Sequence, residues 1–287
     1  MLDLHMKCDN CKSENMKILY RLSYMDINEC KECGLRFTDQ SKIPKSLYTE
    51  NYFKKTNKHF FEDSWADYET KIKTSKKLRR FKDTLKKLEK YTNKGNLLDV
   101  GCATGVFLDI AKKTGWKPYG VEISKFASEY GRKNFNLNIQ TGDLLNARFK
   151  ENFFDLVTMW DVIEHVEIPS KTLIMLNKII KKGGVLFLLT TNDDSLMGHL
   201  AHTFYKLKIK KFAELIHPKH HNYHFTKKVL INMLNKSGFE IVYTKKSEMP
   251  LENIIQGPVV KAMATVLYLF SGILRQQHEI IVIARKK

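Results

Sequence analysis

Leu97-Leu98-Asp99-Val100-Gly101-Cys102-Ala103-Thr104-Gly105 is the stretch that decides the fold. Leu97 to Val100 reads as a buried strand, Val106 to Thr114 as a helix, and the glycine-punctuated turn joins them without a break. Gly101 and Gly105 let a backbone come close to a ligand, as no residue with a Cβ would. The next strand, Lys117 to Glu122, ends in an acid 17 residues after Gly105. A strand, a tight turn, a helix and an acid at the following strand end are the parts of an adenosine-type site, in which the carboxylate accepts hydrogen bonds from both ribose hydroxyls.

The same alternation continues outward. Ser124 caps a helix to Asn134, and strands follow at 137–140 and 154–160. Pro169 opens a helix to Lys181 that Gly183-Gly184 ends, before an apolar strand at 185–190. A helix over 226–236 closes at Gly238, and strands at 239–243 and 279–284 finish the pattern. Strand–helix alternation demands parallel crossovers and so predicts an α/β layered sheet.

The segment matches a family. It resembles the class I S-adenosylmethionine (SAM)-dependent methyltransferases, whose first motif follows an acidic strand end with Gly-x-Gly-x-Gly; Ala103 stands at the middle glycine. The likeness runs over about residues 95–245: Tyr119-Gly-Val-Glu122-Ile123-Ser at the ribose strand end, Gly142-Asp143-Leu144 at the adenine segment, Asp155 to Asp161 at the fourth motif, and Leu176 through Gly184-Val-Leu-Phe-Leu. It implies a Rossmann-like seven-stranded sheet with an antiparallel last strand. It also implies SAM held by Asp99, Gly101, Cys102, Ala103, Gly105, Glu122, Ile123, Asp143 and Leu144. Trp160 flanks the adenosine or the acceptor or packs in the core, and Cys102 is a small packed residue rather than a nucleophile.

Cys8, Cys11, Cys30 and Cys33 make two C-x2-C pairs separated by 18 residues. Four thiolates from two tight turns suit tetrahedral Zn2+, and with no open position the ion holds structure rather than a catalytic water. A redox dithiol pair is the competing reading. Short strands are expected at 18–22 and 25–27. The domain reading is therefore a zinc ribbon over 1–40, a helical segment over 41–94 and the methyltransferase unit over 95–287, with an insert at 192–225 placed to cover a substrate. A ribbon followed by Leu47-Tyr-Thr-Glu-Asn-Tyr-Phe53 resembles a recurring bacterial methyltransferase arrangement that modifies sugars or other secondary metabolites.

Asp161-Val-Ile-Glu164-His165 follows the fourth strand, and His217-Pro-Lys-His220-His221-Asn-Tyr-His224 lies downstream. Helical spacing would put Asp161, Glu164 and His165 on one face. The layout resembles metal-dependent O-methyltransferases of the ubiquinone-biosynthesis and small-RNA types. That likeness implies Asp161, Glu164, His165 and His221 around a divalent ion such as Mg2+, with Asp in place of the first Glu. A metal-free histidine base and an ordinary loop both remain open beside it.

Composition bounds the rest. The chain has 287 residues, 43% of them hydrophobic, enough for a core and against a disordered chain. Net charge is +18, yet only eight of 49 basic residues are arginine, which weakens the case for base or phosphate-fork recognition. The acceptor expected is a small-molecule hydroxyl; RNA 2′-O-methylation and a non-catalytic SAM-binding regulator are the alternatives. Ser75 to Tyr91 reads as an amphipathic helix with a cationic outer face. The longest apolar stretch near the end, 262–274, is 13 residues against the roughly 20 a spanning helix needs, so a cytoplasmic protein is expected. Val259 to Leu274 reads as a helix for core or dimer contact, or for lipid docking. The oligomeric state has no signature in the sequence.

Overall fold

The computed structural model describes residues 7–38, 76–248 and 258–287. The Leu47–Phe53 resemblance and the helical pattern over 41–75 lie outside the described residues.

An antiparallel meander comes first: β1 (Met16–Arg21), β2 (Asp26–Cys30) and β3 (Arg36–Thr38). The strands expected at 18–22 and 25–27 thus run at 16–21 and 26–30. Gly34, at φ +75°, turns the chain after the second cysteine pair into β3, which has no pattern of its own in the sequence. Helix α1 (Lys76–Leu88) buries Phe81, Leu85 and Leu88 as its spacing predicts. Arg80 corrects the outward cationic face: its guanidinium donates bonds of 3.0 and 2.6 Å to the Glu279 carboxylate.

Alternation then runs through β4 (Asn96–Val100), α2 (Val106–Lys113), β5 (Lys117–Glu122), α3 (Lys125–Phe135), β6 (Asn138–Thr141) and β7 (Phe154–Trp160). It continues through α4 (Pro169–Ile179), β8 (Ile180–Thr191), α5 (Leu196–Lys206), α6 (Lys210–Ile216) and the two-residue β9 (Tyr223–His224). It closes with α7 (Lys227–Lys236), β10 (Phe239–Ser247), α8 (Pro258–Ile273) and β11 (Glu279–Lys286). Caps set several starts: Ser124, Ser195 and Thr226 each accept a backbone N–H from three residues on. The expected helix end at Lys181 is corrected to Ile179. Ile180 is fully buried opposite Phe154 and already extended, and Gly183-Gly184 fall inside the strand at an irregularity of its register.

The large sheet has the order β10-β11-β8-β7-β4-β5-β6, with β11 antiparallel to both neighbours. The chain moves outward from β4 to β6, then returns to lay β7 on the other side of β4. That reversal opens a crevice at the carboxyl ends of β4 and β7, the place where open α/β sheets bind ligands. Helices cover both faces, and the sheet's inner strands are buried nearly end to end. The small sheet is β1-β2-β3-β9, so its fourth strand comes from the 192–225 stretch: Arg36 pairs with His224 and Phe37 with Tyr223. No helix of the described residues is long and apolar enough to cross a membrane.

Candidate active site

At the end of β4 the turn has the geometry its glycines suggest. Gly101 and Gly105 have φ of +71° and +83°. A Cβ on Gly101 would lie 2.5 Å from Val162, and one on Gly105 2.6 Å from Leu137. Ala103 also sits in the left-handed region, at φ +48°, where glycine is the usual occupant. Its N–H donates to Glu122 Oε2 at 2.9 Å, and the Ser124 N–H donates to Glu122 Oε1 at 2.8 Å. Each carboxylate oxygen is thus fixed by one amide and keeps lone-pair capacity for a further donor. Asp99 accepts from Thr158 Oγ1 at 2.6 Å.

Both acids are buried, and neither makes a salt bridge among the described residues. Burial pushes Asp99 up to about 8, and the nearby Glu122 adds to the rise. Glu122 is raised as well, by burial, against the pull of its backbone donors. Two buried carboxyls with no cation beside them among the described residues favour a ligand that carries positive charge.

The β5 and β6 ends lie side by side, Glu122 opposite Thr141. Ile123 is 53% exposed there, and Leu145, just after Leu144, is also exposed. Asp143 caps the short turn at 144–146 by accepting from Leu145 N–H at 2.7 Å. Cys102 is buried where a Cβ on Gly120 would come within 2.7 Å of its sulfur, and burial raises its thiol well above the usual range. Trp160 packs edge-on against Phe81 and Phe107 and tilted against Phe187, at 4.6 to 5.3 Å between centroids. Its indole is held in an aromatic cluster, with its N–H buried and unpartnered.

After β7 the chain forms a turn, not the helical face expected. Asp161 is exposed with φ +52°, its N–H donating to Leu189 O at 3.0 Å. Glu164 is fully buried and accepts from Thr190 Oγ1 at 2.8 Å, while its Oε1 has no partner. Burial first, and then the Asp161 charge, raise its carboxyl. His165 turns toward the downstream histidines: its ring stacks on His220 at 5.1 Å and meets His221 edge-on at 4.8 Å. Because a carbonyl only accepts, the 2.9 Å contact of His165 Nδ1 with His220 O makes Nδ1 the donor. His221 is buried, and burial together with the other imidazoles holds it well below the usual histidine range. One ring nitrogen from each of His165, His220 and His221 falls within 4.8 Å of the others. The structure therefore brings His165 and His221 together, adds His220, and sends Glu164 toward Thr190.

The histidine loop is held by the ribbon. Thr38 Oγ1 donates to His221 O at 2.9 Å and lies 3.2 Å from His224 Nε2. Asn222 and Tyr223 donate their N–H groups to Glu164 O. Arg36 bridges Glu29 and Asp193, both at 2.7 Å, and Asp193 bonds His217 Nε2 at 2.9 Å. Burial would raise Asp193, but His217 and Arg36 outweigh it and hold the carboxyl far below its usual range. Tyr24 Oη bonds the carbonyls of Glu214 and His217. In the ribbon's own knot, Cys8 and Cys33 sulfurs lie 3.4 Å apart, Cys11 and Cys30 3.5 Å, and all four within 4.8 Å. Zinc–sulfur bonds of about 2.3 Å put sulfurs about 3.8 Å apart, so the four cysteines fit that ion.

Sequence reasoning misses Thr158, Thr190, Arg36, Thr38 and Asp193 at these sites. Only the last has a local cue, its place just beyond the end of the apolar strand β8 at the crevice rim.

Comparison with known proteins agrees with this geometry. A family model described as a methyltransferase domain matches residues 68–244, more than half of the chain. An uncharacterized protein of Methanocaldococcus jannaschii is 28% identical over 161 residues, 55% of this chain and 61% of that protein. A ubiquinone biosynthesis O-methyltransferase of Coxiella burnetii is 31% identical over 110 residues, 36% of this chain and 47% of that enzyme. The chain thus spans about half to three-fifths of the length of these relatives. The crystal structure of a SAM-dependent methyltransferase from Archaeoglobus fulgidus superposes with a TM-score of 0.54 at 18% identity, covering 78% of this chain and all of that one.

Proposed function

This chain belongs to the methyltransferase domain family and, from that premise, we propose that it transfers a methyl group from SAM to a hydroxyl of a small molecule. The observation that carries the reading is the pair of buried carboxyls, Asp99 and Glu122, that have no ion pair among the described residues, on either side of a left-handed glycine turn at the topological switch point. Glu122, fixed by two amides, holds the ribose hydroxyls. Gly101 and Gly105 admit the methionine portion against the backbone. Ile123 and Leu145 offer apolar contact to the adenine, and Asp143 keeps one oxygen for its amino group. When bound, SAM supplies an electrophilic methyl on a sulfonium that leaves as a neutral thioether.

The chain's other task is to place a hydroxyl in line with that methyl and take its proton. His221 and His165, whose rings meet edge-on at 4.8 Å, are the groups we assign to accept it. Glu164 Oε1, buried and unpartnered, orients the hydroxyl or the imidazole beside it. The resemblance of this stretch to O-methyltransferases, and separately the 31% identity over 110 residues to a ubiquinone biosynthesis O-methyltransferase, support oxygen as the methylated atom.

A second reading rests on one observation, the convergence of His165, His220 and His221. A divalent ion there would lower the hydroxyl pKa. Three imidazoles suit Zn2+, Fe2+ or Mn2+ better than Mg2+, which prefers the carboxylates of Asp161 and Glu164. The four cysteines hold a structural Zn2+ in either case.

Calorimetric titration with S-adenosylhomocysteine tests the cofactor site. Wild-type protein is expected to bind, and Glu122→Ala to lose at least tenfold, the two ribose bonds being worth more than about 1.4 kcal/mol together. Absence of heat with wild type, or equal affinity in the variant, refutes the assignment. Release of S-adenosylhomocysteine in the presence of catechols, sugars or RNA then sorts the acceptors, before and after a chelator.

A further inference from the structure

The end of α5, the turn and the start of α6 read Lys206-Leu207-Lys208-Ile209-Lys210-Lys211, and all six residues are exposed. Leu207 is 64% and Ile209 51% open to solvent. Large aliphatics at a loop tip are an unfavourable choice for water, and four lysines around two of them repel one another unless an anionic surface meets them. The tip is well supported: Phe204 and Phe212 pack beneath it at 5.3 Å, and the N–H groups of Lys208 and Ile209 bond Tyr205 O and Phe204 O at 2.9 Å. Between Ser195 and Ile216 the one acid is Glu214, and it is engaged by the Ser23 N–H at 2.9 Å.

Helix α8 carries a second patch. Val266, Leu269, Phe270, Ile273 and Leu274, spaced by three, one, three and one, are each more than half exposed. The buried Ser271 lies on the opposite side. The roots of α5 and α8 are tied at the carboxyl edge of the large sheet: Leu196 N–H donates to Gln276 O, and Asn192 N–H to His278 O. Arg275 lies just beyond the end of α8, with Lys246 donating to its carbonyl. Both apolar patches thus spring from one edge of the sheet, each with cations beside it.

We propose that the Lys206–Lys211 tip and the outer face of α8 form a docking surface for an anionic lipid bilayer. Leu207, Ile209 and the α8 aliphatics enter the acyl boundary while the lysines stay at the phosphates, the division of labour of interfacial amphipathic segments. Docking this way turns the crevice edge of the sheet toward the lipid. None of its residues is among those assigned to SAM.

Full-length protein is sedimented with vesicles of phosphatidylcholine alone, or with about one-third phosphatidylglycerol. Each lysine near an anionic surface contributes about a fivefold gain, so the four together are expected to favour the anionic vesicles by about six-hundredfold, and the preference to fall with added salt. Leu207→Ser with Ile209→Ser is expected to lose at least about tenfold, and Phe270→Ser with Ile273→Ser a similar factor. Unchanged S-adenosylhomocysteine affinity in these variants shows that they fold. Should either pair fail to fold, Lys206→Gln with Lys208→Gln, at exposed positions, carries the test and is expected to lose about 25-fold. The proposal is overturned if wild type ignores anionic vesicles or prefers neutral ones, or if folded variants partition as wild type does. A reversible dimer dispersed by the Leu207/Ile209 pair overturns it too, since the face would then belong to a second copy. Vesicle binding without any S-adenosylhomocysteine heat would sink the methyl-transfer reading and leave the docking surface standing.

Discussion

Replacing Arg36 with methionine keeps the apolar stem and removes the guanidinium that ties the ribbon to the histidine loop. In the folded protein that group donates to Glu29 and Asp193, both at 2.7 Å. Glu29 is left with Lys17 at 2.7 Å, so its loss is largely made good. Asp193 keeps His217 at 2.9 Å but is 8% exposed, too buried for water to replace the missing cation. One hydrogen bond to a buried ion goes uncompensated, about 2–3 kcal/mol, at the low end for breaking a buried pair because His217 remains. Urea unfolding at neutral pH reads the loss directly. Arg36→Lys retains the charge but only one of the two bonds and is expected to cost about 1 kcal/mol. A double-mutant cycle with Asp193→Asn isolates the pair, with a coupling above about 1 kcal/mol expected. If Arg36→Met changes stability by less than about 1 kcal/mol and the cycle shows no coupling, the ribbon is not clamped through this bridge.

Three further outcomes follow from the geometry. Stripping metal with a chelator is expected to free four thiols and to speed amide exchange at 221–224 as well as in the ribbon, because β3 holds β9; exchange confined to residues 7–38 counts against that link. Gly101→Ala forces a Cβ to 2.5 Å from Val162 at φ +71°, and a loss of about 1–2 kcal/mol with weakened S-adenosylhomocysteine binding is expected; wild-type affinity would show that the turn does not touch the ligand. Burial and His217 hold His224 down at about 3 in the folded state. The unfolded chain protonates this residue near 6.5 and so binds more protons between those values, and stability falls as pH drops through that window by up to about 1.4 kcal/mol per unit. His224→Gln is expected to flatten that slope between pH 6 and 4; an unchanged slope disproves the assignment.

What was legible in the sequence is what local rules encode. The turn from Gly101 to Gly105, the acid at 122, the alternation and the four cysteines each leave a signal within a few residues, and each lies where that signal put it. Glu164 shows where local reasoning fails. Three-and-four spacing predicts a shared helical face, but Asp161 takes a left-handed conformation that breaks the helix, and Thr190 on the next strand captures the carboxylate. Nor does periodicity reveal that Arg80 faces Glu279 across nearly 200 positions, or that Trp160 is enclosed by three phenylalanines from three elements. Such pairings are decided by tertiary geometry, and neither partner advertises the other. The pairing of β3 with β9 is the extreme case, since a two-residue strand has no pattern at all.

That pairing also sets an order of events. The meander 16–38 is made well before its last edge is filled by residues 223–224, and Thr38 waits for a partner 183 positions away. At about 5–20 residues per second, the interval is roughly ten seconds or more, during which the β3 edge and the Arg36 guanidinium stand open. The meander is finished only from far along the chain, and cutting it away as a detachable module would strand Asp193 and the imidazoles of the loop without their lid.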